Sequence, residues 1–278
     1  MKKVSILMPV YKKDNAKYLT EAFESLKKQS NFFYELLLVR DGKLNIELDK
    51  VINKYKKQLK INLIYIKNNV GLPKALNIGL KKVKTKWVAR FDSDDICDND
   101  RFRIINEIIE NHGHEIDIFG TYMKEFENKI KDNQKIRFVP LDQQKIKDKL
   151  LISNPMNHIS VVFKKKLVEE YSDENGEFYP LIQGFEDYAL WIKLIRNGVR
   201  FRNFPLITVY ARVGDDMLKR RGGLRYIFKE IIFRKLTSRY FNIYENILIF
   251  FISFIRIIIF LLPINLKRKI YKIKRNLL

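Results

Sequence analysis

The chain has 278 residues, 46% of them hydrophobic, with one cysteine and a formal net charge of +22. That length supports one sizeable core, or a core with a smaller appendage, and the lone Cys97 excludes an internal disulfide framework and suits a reducing cytosol. The charge implies an anionic partner and is unevenly placed: residues 217–278 hold 15 Lys/Arg against 2 Asp/Glu.

Met1-Lys2-Lys3 runs straight into Val4-Ser5-Ile6-Leu7-Met8, an apolar stretch too short before Pro9 to read as a secretory signal. Strands are expected over 4–10, 34–39, 61–66 and 86–91, all β-branched or aromatic and apolar on both faces. Helices are expected between them, over 17–28, 45–57 and 73–82, with Pro73 near a helix start. Apolar strands alternating with helices predict a buried, mostly parallel sheet, an α/β class. Right-handed crossovers place every strand's carboxyl end on one edge, where ligands bind in open α/β sheets. Pro9-Val10-Tyr11, Arg40-Asp41-Gly42 and Asp92-Ser93-Asp94-Asp95 all fall there.

The last of these packs three carboxylates into four residues. Like charges this close repel unless a cation compensates, so the cluster is expected to hold Mn²⁺ or Mg²⁺ through one or two carboxylates, with phosphate oxygens and water completing the shell. A solvated turn or a helix cap is the competing reading. Neither the P-loop nor the G-x-G-x-x-G fingerprint occurs, so phosphates must be held by metal and side chains. A second acidic pair, Glu186-Asp187, opens an amphipathic helix that carries Trp191. It reads either as charge favoured by the helix dipole or as a general base, with Trp191 offering a face for a sugar ring.

Taken in order, these stretches, together with Asn69-Val70-Gly71-Leu72 and Ala75-Leu76-Asn77-Ile78-Gly79, carry a resemblance over about residues 1–215. The chain resembles family-2 glycosyltransferases of the GT-A fold (Rossmann-like, with a mostly parallel central sheet), in particular those of bacterial surface polysaccharide, O-antigen and capsule synthesis. The resemblance implies a UDP-sugar donor, a divalent metal on the D-x-D carboxylates, and inversion at the anomeric carbon. It implies donor binding by Pro9, Val10, Tyr11, Asp41, Asp92 and Ser93, with Tyr11 on the uracil face and Asp41 accepting from its N3–H. Asp92 and Asp94 become the metal ligands, and Asp95 an orienting neighbour. Asp187 becomes the base, with Glu186 orienting it or touching the acceptor. Where many relatives carry an acidic pair before Gly42, this chain has Arg40-Asp41.

Lys74, one helix turn after Gly71, is a candidate to counter the diphosphate, with a solvated helix lysine as the alternative. His158, ahead of an apolar strand over 159–163, and Trp191 are candidates for the acceptor side. His112 and His114 read as a solvated turn. Arg220 and Arg221, beside Gly222-Gly223, suit a loop that neutralises the leaving diphosphate, or else a basic linker.

The chain therefore divides into a catalytic domain, 1–215, and a helical tail, 216–278. In the tail, 224–241 reads as a basic amphipathic helix suited to an anionic membrane surface. The apolar run 247–262, broken by Ser253 and Arg256, is expected to lie in the membrane plane rather than span it, or else to pack back on the domain. The predicted reaction moves a hexose from a UDP-sugar to a hydroxyl of a polyprenyl-diphosphate-linked glycan at the cytoplasmic face of the membrane. A metal-dependent nucleotidyl or phosphoryl transferase, and a non-catalytic membrane-associated nucleotide-binding module, are the rival readings. No nucleic-acid partner is expected, because the basic residues cluster beside an apolar stretch rather than around the carboxylates.

Overall fold

A computed structural model describes residues 4–127, 129–130, 134–213, 223–262 and 266. Strands β1 (Val4–Tyr11), β2 (Glu35–Asp41), β3 (Ile61–Ile66) and β4 (Trp87–Arg90) alternate with helices α1 (Ala16–Lys27), α2 (Ile46–Tyr55) and α3 (Leu72–Leu80). Within the described residues the sheet runs β3-β2-β1-β4 and continues through β8 (Val162–Lys164), β6 (Ile118–Phe126) and β9 (Phe201–Arg212) to β5 (Ile96–Cys97), with β7 (Ile136–Arg137) on β6. Its β3-β2-β1-β4 half is parallel, as the apolar run pattern predicts. Alternate residues feed two cores: Ile6, Met8 and Val10 of β1 pack on one side with Leu36 and Leu38 of β2, and Leu7, Leu37 and Val39 on the other. Gly79 belongs where it is because α3 lies hard on the sheet; a Cβ there would stand 2.4 Å from Leu7 Cδ1 and 2.7 Å from Val39 Cγ2.

The second half was less apparent. β5 (Ile96–Cys97) and α4 (Arg101–His112) follow the acidic turn, then β6 (Ile118–Phe126), β7 (Ile136–Arg137), α5 (Gln143–Lys149), β8 (Val162–Lys164) and α6 (Lys166–Tyr171). The strand expected over 159–163 is preceded by a 3-10 turn, His158–Ser160, and begins only at Val162. α7 (Glu186–Arg196) leads into β9 (Phe201–Arg212), which pairs in parallel with β6 and antiparallel with β5. α7 keeps its amphipathic pattern, with Asp187, Lys193 and Arg196 partly exposed, but most of its surface is buried, Trp191 included.

The tail forms α8 (Leu224–Thr237), a 3-10 turn, and α9 (Ile243–Leu261), the last opened by a reciprocal Asn242–Glu245 capping box. α8 packs on α7 by stacking Phe233 on Phe185, 4.8 Å between centroids, and on Tyr188 at 4.9 Å. Buried Glu230 is paired by Arg234 at 3.0 Å and by Arg256 of α9 at 3.4 Å, so the arginine that interrupts the apolar run is turned inward. The opposite side leaves Phe228, Ile231, Ile232, Phe250, Phe251, Phe254 and Ile255 exposed. Within the described residues no helix is long and apolar enough to cross a membrane.

Candidate active site

β1 and β2 end in register, Tyr11 beside Asp41, while Arg90 ends β4 beside Leu7. Tyr11 is 37% exposed at this edge and Pro9 half-buried, but Val10 points into the core. The Val10 side chain, expected to line the donor site, is instead turned away from this edge. The buried Asp41 carboxylate accepts from Val70 N (2.7 Å), Gly71 N (3.0 Å) and Asn69 Nδ2 (2.8 Å). This clasp brings residue 69 against Gly42, where φ is +88° and a Cβ would lie 2.9 Å from Asn69 N, so glycine is required. A carboxylate offers about four acceptor positions; Asp41 spends three on the loop and keeps room for one more donor.

The acidic turn is held from several directions. Arg90, wholly buried, donates to Phe91 O and pairs with Asp92 Oδ1. Asp94 is exposed, while Asp95 is buried and accepts from Arg212 N at 2.7 Å. The Arg212 side chain donates to Asp94 O (2.9 Å), pairs with Glu21 and stacks on Tyr18 and Phe126, 3.9 and 4.4 Å from their centroids. Ser93 donates to Asp14 Oδ2 at 2.7 Å, and Tyr11 N to the same oxygen at 3.1 Å. Neither Asp14, in the turn after β1, nor Arg212, the last residue of β9, carries a motif that would mark it in the sequence. Burial pushes the Asp14 carboxyl up to about 7, and the nearby Asp94 and Asp92 charges add to it. Asp95 is raised well above its ordinary range by burial first and by Asp94 and Asp92 next.

Carboxyl groups crowded this closely raise one another's pKa, an environment that a divalent cation would relieve. Within the described residues no cluster of three or more His, Cys, Asp or Glu could cage one. Asp92 and Asp94 could offer one or two carboxylates to Mg²⁺ or Mn²⁺, ions whose remaining positions substrate oxygens and water can fill.

The second acidic pair lies at the start of α7. Glu186 is buried and accepts from Gly184 N; burial, then the adjacent Asp187, pushes it up to about 7. Asp187 is partly exposed, its Oδ1 accepting from Tyr188 N (2.8 Å) and its Oδ2 from Asn154 Nδ2 (2.7 Å). His158 Nε2 lies 3.1 Å from the Tyr179 hydroxyl. Burial, with the Arg90 charge adding, holds the His158 imidazole well below its usual range, hence neutral. Burial raises the Tyr179 phenol; Arg90 opposes this, while Asp187, Glu186 and Asp92 reinforce it. The acidic turn and the α7 pair thus share one electrostatic neighbourhood.

Two expectations change here. Trp191 is fully buried, its ring edge-on to His158 and Phe201 at 6.0 and 5.9 Å, so it has no free face for a sugar. Its place at the centre of α7 puts it in the core. Lys74 is not a free helix lysine: its side chain, 40% exposed, pairs with buried Glu177, whose loop is pinned to α3 by a two-way Asn77–Tyr179 bond at 2.9 and 2.8 Å. Arg220 and Arg221 lie outside the described residues. His112 packs its ring on Phe204 at 5.5 Å.

The family model described as glycosyl transferase family 2 matches residues 5–171. An uncharacterized glycosyltransferase of Haemophilus influenzae is 38% identical, covering 97% of this chain and 98% of its own. A UDP-Gal:alpha-D-GlcNAc-diphosphoundecaprenol beta-1,3-galactosyltransferase of Escherichia coli is 34% identical, covering 97% and 95%. The crystal structure of S. aureus TarS in complex with UDP-GlcNAc superposes with a TM-score of 0.63 over 86% of this chain and 69% of that one, at 20% identity. The expected GT-A-like α/β architecture is the one found.

Proposed function

Because the chain belongs to glycosyl transferase family 2, we propose that it moves a hexose from a UDP-sugar to a hydroxyl of a polyprenyl-diphosphate-linked glycan, inverting the anomeric carbon. The observation that carries this is the acidic turn Asp92-Ser93-Asp94-Asp95 just after β4, at the carboxyl edge of the parallel sheet where β1 and β2 end with Tyr11 beside Asp41. The donor and acceptor classes follow the Escherichia coli relative's name. Mn²⁺ or Mg²⁺, held by Asp94 and by the oxygen of Asp92 that Arg90 does not engage, would supply charge neutralisation for the diphosphate.

The protein's own groups do the rest. Tyr11 and the remaining acceptor position of Asp41 bind the uracil, and Asp14 fixes Ser93 beneath the diphosphate. Asp187 takes the proton from the acceptor hydroxyl as its oxygen attacks opposite the leaving UDP. Glu186, buried and pushed up to about 7, restrains the turn that presents Asp187. The experiment is transfer from a panel of labelled UDP-hexoses to a synthetic polyprenyl-diphosphate-linked acetamido sugar, with and without chelator. Metal-dependent product from at least one donor is expected; none from any of them sinks the reading.

We further read the exposed side of α8 and α9, with the basic tail, as the surface that lies on an anionic membrane at its cytoplasmic face. Removing 224–278 would uncover Phe185 and Tyr188, so the clean probe is Phe228→Ser with Phe251→Ser and Phe254→Ser. The unsubstituted protein should float with anionic liposomes at low salt and be partly released by high salt; the triple variant should remain below. Unsubstituted protein left in the soluble fraction at low salt contradicts the assignment.

A further inference from the structure

We infer that Asn154 is a positioning residue for the base, fixing the plane and charge of the Asp187 carboxylate; this rests on the proposed role of Asp187. The Asn154 side chain is itself oriented. Its Oδ1 accepts from Met156 N at 3.1 Å, so only the NH₂ end can face α7, and that end donates to Asp187 Oδ2 at 2.7 Å. The other carboxylate oxygen is taken by Tyr188 N at 2.8 Å, which leaves the carboxylate little freedom to rotate.

The segment behind Asn154 is anchored in turn. Asn203 of β9 donates to Pro155 O at 3.3 Å, and Asn157 to Thr121 O of β6 at 2.9 Å. A rigid donor on a carboxylate stabilises its ionised form, which is the form a base needs. Among the described residues, the charged or titratable groups at this corner include Glu186 on the same helix, Tyr179 and its partner His158, Asp92, and Arg90 at the end of β4. Asn154, with no charge of its own, contacts Asp187 from outside α7 by a short hydrogen bond.

Asn154→Asp is the sharpest probe, because it sets a second carboxylate where the amide was. Two carboxyl groups at that distance share a proton and titrate apart. The acidic limb of the kcat–pH profile should move up by about one unit or more, with the KM for the donor unchanged. Asn154→Ser, whose hydroxyl can still cap Met156 N but cannot span to α7, should lower kcat about 10-fold or more without lowering Tm. Donor binding measured calorimetrically should match the unsubstituted protein in both. A profile and kcat like the unsubstituted protein's in Asn154→Asp, while Asp187→Asn is inactive, overturn the positioning role alone. An active Asp187→Asn overturns the base reading itself. Should Asn154→Asp fail to fold, Asn154→Ser decides: full turnover with intact Tm refutes the inference.

Discussion

Replacing Asp187 by Asn is expected to lower turnover by about 10²-fold or more while leaving UDP-sugar affinity nearly unchanged. The substitution keeps the shape of the side chain and removes the oxygen that can hold a proton. Steady-state kinetics with the donor and acceptor varied separately would show the loss in kcat. Glu186 is the internal control. It is buried, bonded to Gly184 N and pushed up to about 7, so near neutral pH it is only partly ionised. Asp187 is the partly exposed member, the one an acceptor hydroxyl can reach. Glu186→Gln should therefore retain more activity than Asp187→Asn; the reverse order would exchange their roles.

Asp94→Asn is expected to abolish metal-dependent UDP binding, a loss beyond the ~10–100-fold that follows removal of an outer-shell partner of a metal. Asp94 is the exposed carboxylate of the turn, whereas Asp92 is partly neutralised by Arg90 and Asp95 is turned inward to Arg212 N. The backbone of the turn should survive, because Arg212 grips Asp94 through its carbonyl, which the substitution leaves in place. Calorimetry with UDP in the presence and absence of Mn²⁺ gives the result. Unchanged Mn²⁺-dependent binding in a variant of native Tm would remove Asp94 from the metal's ligands.

The parallel half of the sheet was legible because each strand there is apolar on both faces, and each helix between is long enough to show its period. The other half was not, for physical reasons that particular residues show. β5 and β7 are two residues long and leave no periodic trace. β9 carries Pro205 and alternates irregularly because its pairing with β6 shifts register near Thr121 and Tyr122. Trp191 looked like a sugar platform because an aromatic beside an acidic pair suggests one, and the sequence does not say that α7 is covered on both sides. Lys74 looked free because Glu177 lies 103 residues away. Asp14 and Asn154 were invisible for the same reason: a side chain that orients another is defined by where the fold brings it.

The most direct measurement is the anomeric configuration of the product from the transfer assay, read by NMR from the proton coupling of the new linkage. An acceptor hydroxyl deprotonated by Asp187 attacks the face opposite the diphosphate, so an α-linked UDP-hexose must give a β-linked product. A β linkage, formed by the unsubstituted protein and lost with Asp187→Asn, is the predicted result. An α linkage, or a β product formed undiminished by Asp187→Asn, would contradict the account.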